Sequence, residues 1–201
     1  NGTGLEIIDT TTDTVTTLPN FFNARRNRFT SQLVGTKIYI PEYNGTALEI
    51  IDTTNNTVTT RANFFNASRD RRTNQLVGTK IYIPHDGGTA LEIIDTTNNT
   101  VTTIANLFNG GRRRLTSQLV GTKIYIPQHV GIALDIIDTT TNTVTTLPNF
   151  FNASRYRFTS QLVGTKIYIP QSNGTALEII DTTNNTVTTR ANFFNASRDR
   201  R

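Results

Sequence analysis

The 201-residue chain has no cysteine, no methionine, no tryptophan and only two histidines. The lack of cysteine excludes a disulfide scaffold, a thiolate zinc site and a cysteine nucleophile. Two histidines leave little from which to build an imidazole metal site or a catalytic triad, so neither a metal nor a cofactor is expected. No apolar run approaches the roughly 18 residues that span a bilayer as a helix. No signal-peptide pattern is visible and the first residue is Asn1 rather than methionine, which reads as a processed product or an excerpt. What the chain has in abundance is threonine and asparagine. Threonine suits strands and asparagine suits turns, so the composition is that of an all-β chain.

The chain is one unit repeated. LEIID begins at Leu5, Leu48, Leu91 and Leu177, and appears as LDIID at Leu134, always 43 residues apart. The chain falls short of five whole units by the length of two strands and the turn between them. A longer period also exists: residues 44–72 recur unchanged at 173–201, an offset of three units. The array has the look of growth by copying three-unit blocks, and of a single repeat domain over residues 1–201.

One unit, residues 30–72, reads as four short strands. Strand a covers about 31–34, and a Gly35-Thr36 turn leads to strand b at 37–40, which Pro41 stops. Asn44-Gly45 turns the chain into strand c at 47–52. The polar run 53–56 leads to strand d at 57–60, and a longer segment, 62–72, returns to the next strand a. No 3.6-residue apolar stripe supports a helix. Strands b and c are apolar on both faces, as expected of sheets stacked face to face. Four short antiparallel strands per 40–50 residues is the pattern of a propeller blade.

The stretch from Ile136 resembles a kelch repeat. Asp138, Thr141-Asn142-Thr143, Leu147-Pro148, Arg155, Thr159-Ser160, Gly164 and Ile167-Tyr168 match that family's pattern. Val144 stands where kelch blades carry tryptophan, Phe158 where they carry histidine, and the Gly-Gly pair survives only as Gly87-Gly88. The DTTTNTVT segment is equally similar to repeats of bacterial and archaeal surface propellers. The resemblance implies a β-propeller of four full blades plus a half blade, and a binding platform rather than an activity. A five-bladed ring, whose fifth blade the two absent strands would complete, is the leading arrangement; a six-bladed ring and an open array are the alternatives.

Comparing units within the chain shows where variation gathers. The a–b turn Val-Gly-Thr-Lys is constant in all four copies. The b–c turns differ (Glu42-Tyr43-Asn44, His85-Asp86-Gly87, Gln128-His129-Val130, Gln171-Ser172-Asn173), as do the d–a positions Asn27, Asp70, Arg113, Tyr156 and Asp199. In a four-stranded antiparallel blade these two connections share one end, which is therefore the expected contact face. The positive charge gathers there too, since 14 of 16 arginines lie in d–a segments. Two columns are constant: Arg26, Arg69, Arg112, Arg155, Arg198, and Arg28, Arg71, Arg114, Arg157, Arg200. The second column lies close to strand a, and by the kelch resemblance near an axial opening. Such guanidinium circles either brace the blades or bind an anionic ligand through their planar forks. Tyr43, His85 and His129 join them as candidate contact residues, the histidines being expected on the surface.

The remaining patterns favour no enzyme. The acidic column Glu6, Glu49, Glu92, Asp135, Glu178 recurs once per unit without a unique partner, which suits pairing with the strand-b lysines or the arginine columns better than acid–base catalysis. A net charge of +5 without aromatics interleaved among the basic residues does not suit nucleic acid. Asn-x-Ser/Thr triplets at Asn1, Asn44, Asn55, Asn66, Asn98, Asn152, Asn173, Asn184 and Asn195 are either glycosylation acceptors of a secreted protein or turn residues. The Thr-Val-Thr strands read as solvated outer edges. The leading expectation is a non-enzymatic protein-interaction or structural module. An extracellular fibre or surface-layer assembly protein and a carbohydrate-binding propeller are the rivals.

Overall fold

The computed structural model describes residues 2–200. Its regular structure is all strand, and among the described residues it contains no helix. A half blade, β1 (Leu5–Asp9) and β2 (Thr14–Leu18), comes first. Four antiparallel blades follow: β3 (Gln32–Val34), β4 (Lys37–Pro41), β5 (Leu48–Asp52) and β6 (Thr57–Arg61); then β7 (Gln75–Val77), β8 (Lys80–Pro84), β9 (Leu91–Asp95) and β10 (Thr100–Ile104). The third blade is β11 (Gln118–Val120), β12 (Lys123–Pro127), β13 (Leu134–Asp138) and β14 (Thr143–Leu147); the fourth is β15 (Gln161–Val163), β16 (Lys166–Pro170), β17 (Leu177–Asp181) and β18 (Thr186–Arg190). Strands follow sequence order within every sheet. The register repeats too: lysine faces aspartate, isoleucine faces isoleucine, tyrosine faces isoleucine, isoleucine faces the acidic residue, and proline faces leucine.

One expectation needs correction. Pro41 takes the last rung of β4, opposite Leu48, instead of ending the strand at Ile40. β3 reaches only as far as Tyr39, so Pro41 lies where one side of β4 is open, a place that a residue without an N–H tolerates.

The chain forms two compact units, residues 1–71 and 72–201. In the first, Phe22 of the segment after β2 packs with Ile40 and Ile51 of the first full blade, flanked by Leu5, Phe21, Ile38 and Val58. In the second, three blades stack face to face. Tyr125, Leu134 and Ile136 on one face of the third blade meet Ile167, Ile169 and Ile180 of the fourth. Ile124, Ile126 and Ile137 on its other face meet Tyr82, Leu91 and Ile93 of the second. This is why strands b and c are apolar on both faces: alternate residues serve different neighbours. The tyrosines add a polar tie. Tyr82 donates its hydroxyl to Thr139 O and Asn142 Oδ1, both at 3.1 Å, and Tyr125 donates to Thr182 O and Asn185 Oδ1. Burial raises the hydroxyl pKa of Tyr39, Tyr82 and Tyr125, so these groups remain donors at neutral pH.

Candidate functional site

Each blade has two chemically distinct ends. At one, the a–b and c–d turns meet: Thr53 donates through both N and Oγ1 to Thr36 O at 2.9 Å. The aspartate closing strand c caps the c–d turn, as where Asp52 Oδ1 accepts from the Thr54 amide and hydroxyl. Those bonds hold the carboxyls of Asp9, Asp52, Asp95, Asp138 and Asp181 below the usual aspartate range. Asn56, Asn99, Asn142 and Asn185 in the same turns adopt positive φ near 54°, which asparagine tolerates better than most residues.

At the other end the b–c and d–a segments are bonded together, so the two variable regions share one place. In the first full blade Tyr43 N donates to Asn27 O and Asn44 N to Arg69 O, each at 2.9 Å. The second arginine column organises this end. The Arg157 Nη1 donates to Gly131 O at 2.7 Å and Gln128 O at 3.2 Å, and Nη2 to Ala153 O at 3.0 Å. The same guanidinium grips Glu178 with Nε and Nη2, one donor to each oxygen, and lies 3.8 Å above the Phe151 ring. Arg28 repeats the arrangement with Gly2 O, Ala24 O, Glu49 and Phe22. Arg71 caps Gly45 O, Glu42 O and Ala67 O over Phe65, and Arg200 caps Gly174 O, Gln171 O and Ala196 O over Phe194.

Arg114 differs in one informative way. Asp135 is a methylene shorter than Glu49 and Glu178, so Nε and Nη2 of Arg114 both reach its Oδ2, at 3.1 and 3.0 Å. The freed Oδ1 accepts from Thr146 Oγ1 at 2.7 Å. Burial lowers the Arg114 pKa, while the Asp135 charge opposes the shift.

The second column, for which bracing and anion binding were the two alternatives, is turned inward. Arg71, Arg114 and Arg157 are fully buried, and Arg28 and Arg200 are partly buried and committed to carbonyls. They cap loop carbonyls that would otherwise lack donors, which is the bracing role. The first column is more open. Arg26 pairs with Glu42 at 3.0 Å and lies 3.6 Å from Glu49; Arg155 bonds Gln171 at 3.1 Å and lies 3.3 Å from Glu178; Arg112 lies 3.7 Å from Asp135. Arg69 is half-buried and Arg198 exposed.

Both histidines are buried, not on the surface as expected. His85 Nε2 lies 3.1 Å from Glu92 Oε2. His129 Nδ1 donates to Arg157 O at 3.0 Å, and its ring meets Phe158 and Tyr156 at 4.3 and 5.7 Å. Burial pushes the His129 pKa down, against the opposing effect of that carbonyl bond.

The variable positions prove to be partners of one another, 27 residues apart in every full blade. Tyr43 donates its hydroxyl to Asp70 at 2.8 Å; Arg113 Nε donates to Asp86 at 3.0 Å; His129 faces Tyr156; Ser172 donates to Asp199 at 2.8 Å. Gly111 makes a separate close approach, 24 residues from Gly87: a Cβ there would lie 2.5 Å from Gly87 O, which suits a glycine where three other units carry serine and one carries Arg25. Comparing the units missed this coupling because it scored each column alone; the shared 27-residue offset was the available signal. Among the variable positions Asn27, Asn44, Gly87, Arg113, Val130, Tyr156, Asn173 and Asp199 are exposed; the large side chains among them are Arg113, Val130 and Tyr156 (49 % exposed), and Phe29 is a further exposed ring ahead of the first full blade.

Of the glycosylation triplets, Asn1 lies outside the described residues. The asparagines at 44, 55, 66, 98, 152, 173, 184 and 195 are all exposed. Several already hold turns through Oδ1, as Asn55 does for the Thr57 amide and hydroxyl.

No family profile matches the chain, and no curated protein matches it. Solved structures do. The chain is similar to Kuenenia stuttgartiensis hydrazine synthase (14 % identity, TM-score 0.65), covering 81 % of this chain and 48 % of that one. It is similar to the Neurospora crassa Pan2 WD40 domain (10 % identity, TM-score 0.59, 82 % and 50 % covered). It is also similar to a chain of the mitotic checkpoint complex (13 % identity, TM-score 0.67, 94 % and 58 % covered). The chain thus spans about half the length of these structures. Together with the four-stranded blades, these likenesses define the fold as a β-propeller.

Proposed function

We propose that this chain is a non-enzymatic protein-interaction module, with its contact surface at the end of the blades where the b–c and d–a segments meet. The observation that carries the reading is the exposed set Val130, Tyr156 and Arg113, standing on a frame that the buried arginines make rigid. An aromatic ring, an aliphatic side chain and a guanidinium on fixed loops can supply the buried anchors of a protein contact, with tyrosine and arginine the types that most often dominate its energy. The outer arginines of the same unit, Arg112, Arg155 and Arg198, add positive charge at the same end of their blades, which favours an acidic protein partner. The likeness to the propellers of Pan2 and the checkpoint complex agrees with such a role without assigning a partner.

The finer reading is a kelch-like blade in an extracellular or cell-surface protein. Its support is the Gly-x-x-Ile-Tyr strand, the aspartate–threonine turn and the exposure of the eight described glycosylation asparagines.

A peptide-display selection on the purified chain tests the proposal. Selected binders are expected to lose at least about tenfold affinity on Tyr156→Ala combined with Val130→Ser, the loss of one central contact residue. They should be unaffected by Lys123→Gln at an a–b turn. Binders that respond to the lysine change and ignore the other two would overturn it.

A further inference from the structure

The third and fourth blades, both complete and both in the second compact unit, leave a cleft of about 170 Å³ between them. One wall is the face of the third blade that looks toward the fourth. Strand geometry puts Leu134, Ile136 and Asp138 of β13 on that face at alternate positions and pairs them with Leu147, Thr145 and Thr143 of β14. Lys123 of β12 stands opposite Asp138, so lysine, aspartate and threonine form one row across three strands. Lys123, Thr143 and Thr145 are exposed and Asp138 partly so, while the floor beside them is buried Ile136 and partly buried Leu147. The other wall is Asn185, in the c–d turn of the fourth blade. Tyr125 fixes it by donating to its Oδ1 at 3.1 Å. With that oxygen engaged, the NH2 group is what the side chain offers to the cleft.

Residue 147 decides how much room there is. The first and fourth blades carry Arg61 and Arg190 at this position, and the second carries Ile104. Burial raises the Tyr39 hydroxyl pKa, and the Arg61 charge opposes the shift. An arginine here thus lies within electrostatic reach of the strand-b tyrosine, on the face that lines the cleft in the third blade. Leu147 is shorter and uncharged, and leaves that ground open.

The lining selects a class of ligand. Lys123 and Asp138 present opposite charges side by side, so an ion drawn to one is repelled by the other. The remaining polar groups are two hydroxyls and an amide, which donate and accept at short spacing. A neutral molecule with adjacent hydroxyls on one side and C–H groups on the other meets all of these groups. One hydroxyl can accept from the lysine ammonium while it donates to the aspartate, and such charge-assisted bonds are the stronger kind.

We propose that this cleft binds a single pyranose ring, its hydroxyls on Lys123, Asp138 and Asn185 and its C–H face on Ile136 and Leu147. The site shares no residue with the proposed protein-contact surface, so the two readings stand or fall separately.

The test titrates the isotope-labelled whole chain with methyl α-mannopyranoside, methyl β-glucopyranoside and methyl β-galactopyranoside and follows backbone amide shifts. At least one should saturate with a Kd of about 1 mM, the strength that about a dozen heavy atoms give at ordinary ligand efficiency. The shifts should centre on Thr143, Thr145 and Asn185. Leu147→Arg should weaken binding at least about tenfold by filling the cleft. Arg61 and Arg190 show that the repeat accepts the residue there, and the amide spectrum itself reports that the variant is folded. Asp138→Asn keeps a turn cap of the kind Asn55 makes, and should weaken binding about three- to tenfold through loss of the charged acceptor. Serine, a zwitterion, and inorganic phosphate should produce no saturable shifts at these amides. The proposal is overturned if none of the three glycosides binds, if the shifts centre elsewhere, or if binding survives Leu147→Arg unchanged. Saturation of these amides by serine or phosphate, with the glycosides inert, overturns it as well.

Discussion

The two ends of a blade solve the same problem, closing strand connections, with opposite chemistry. At the a–b and c–d end the turns are short, exposed and nearly constant, and each c–d turn is closed by its own side chains: Asp52 caps Thr54, and Asn55 caps Thr57. At the b–c and d–a end the connections are long, variable and pinned from within by a buried arginine. A short turn satisfies much of its backbone locally and adds only a bond to the turn beside it, as Thr53 does to Thr36 O. A long loop carries carbonyls that local geometry leaves over, and a guanidinium with five donors can satisfy several of them at once. Variation is tolerated at the second end because the arginine addresses backbone, which every residue has.

Arg157→Ala challenges this contrast most severely. It leaves buried Glu178 with only the longer contact to Arg155, and the carbonyls of Gln128, Gly131, Ala153 and Arg155 without this donor. Stability should then fall by about 3–5 kcal/mol in urea unfolding. Glu178→Leu added to it should recover part of that loss, because the stranded charge goes too. A loss no larger than that of a surface ion pair would show that the column does not brace the loops.

A smaller effect separates the paired variable positions from free ones. Tyr43→Ser should retain about 1 kcal/mol more stability than Tyr43→Ala, since a serine hydroxyl facing Asp70 restores the arrangement that Ser172 and Asp199 have in the fourth blade. Equal losses in the two variants would mean that the 27-residue pairing carries no energy.

The pH dependence also divides the ends. His129 titrates below its ordinary value of 6.5 because it is buried, so below that pH the unfolded chain binds the proton and the folded one does not. Stability should therefore decline as pH falls below 6.5 toward the depressed folded value, and His129→Asn should flatten that slope. The c–d caps behave otherwise. Their aspartates are depressed below 3.8, so their contribution is present above that pH and is lost only as pH falls through the lower folded value. Asp138→Asn should remove part of that acid limb and leave the region near the histidine's titration unchanged.

The smallest effect belongs to the outer arginines. Arg155→Ala should cost at most about 1 kcal/mol, as a partly exposed pair does, and a loss approaching that of Arg157→Ala would erase the distinction between the columns.

Much of this was legible from residues. Strand bounds came within a residue or so of Gln32–Val34, Lys37–Pro41, Leu48–Asp52 and Thr57–Arg61 because turn residues punctuate them. The common end of the b–c and d–a segments followed from strand parity alone. The state of Arg157 and His129 did not follow. Both sit in polar loops, and burial there depends on Phe151 and Phe158 supplying an apolar floor from a segment with no periodic pattern. The partnership of Tyr43 with Asp70 was equally hidden, because a 27-residue separation becomes a contact only once two loops fold to one end.

The 43-residue period, with turn residues dividing each unit into four short strands apolar on both faces in b and c, pointed by itself to propeller blades. Tertiary structure alone decided which arginine column is enclosed and which stays partly open, although the two stand only two residues apart. One residue's side chain meets a carboxylate, a phenyl ring and several carbonyls in a space closed to solvent, while the other's reaches a carboxylate from a partly open position. Such enclosure is a matter of three-dimensional packing that no sequence column contains.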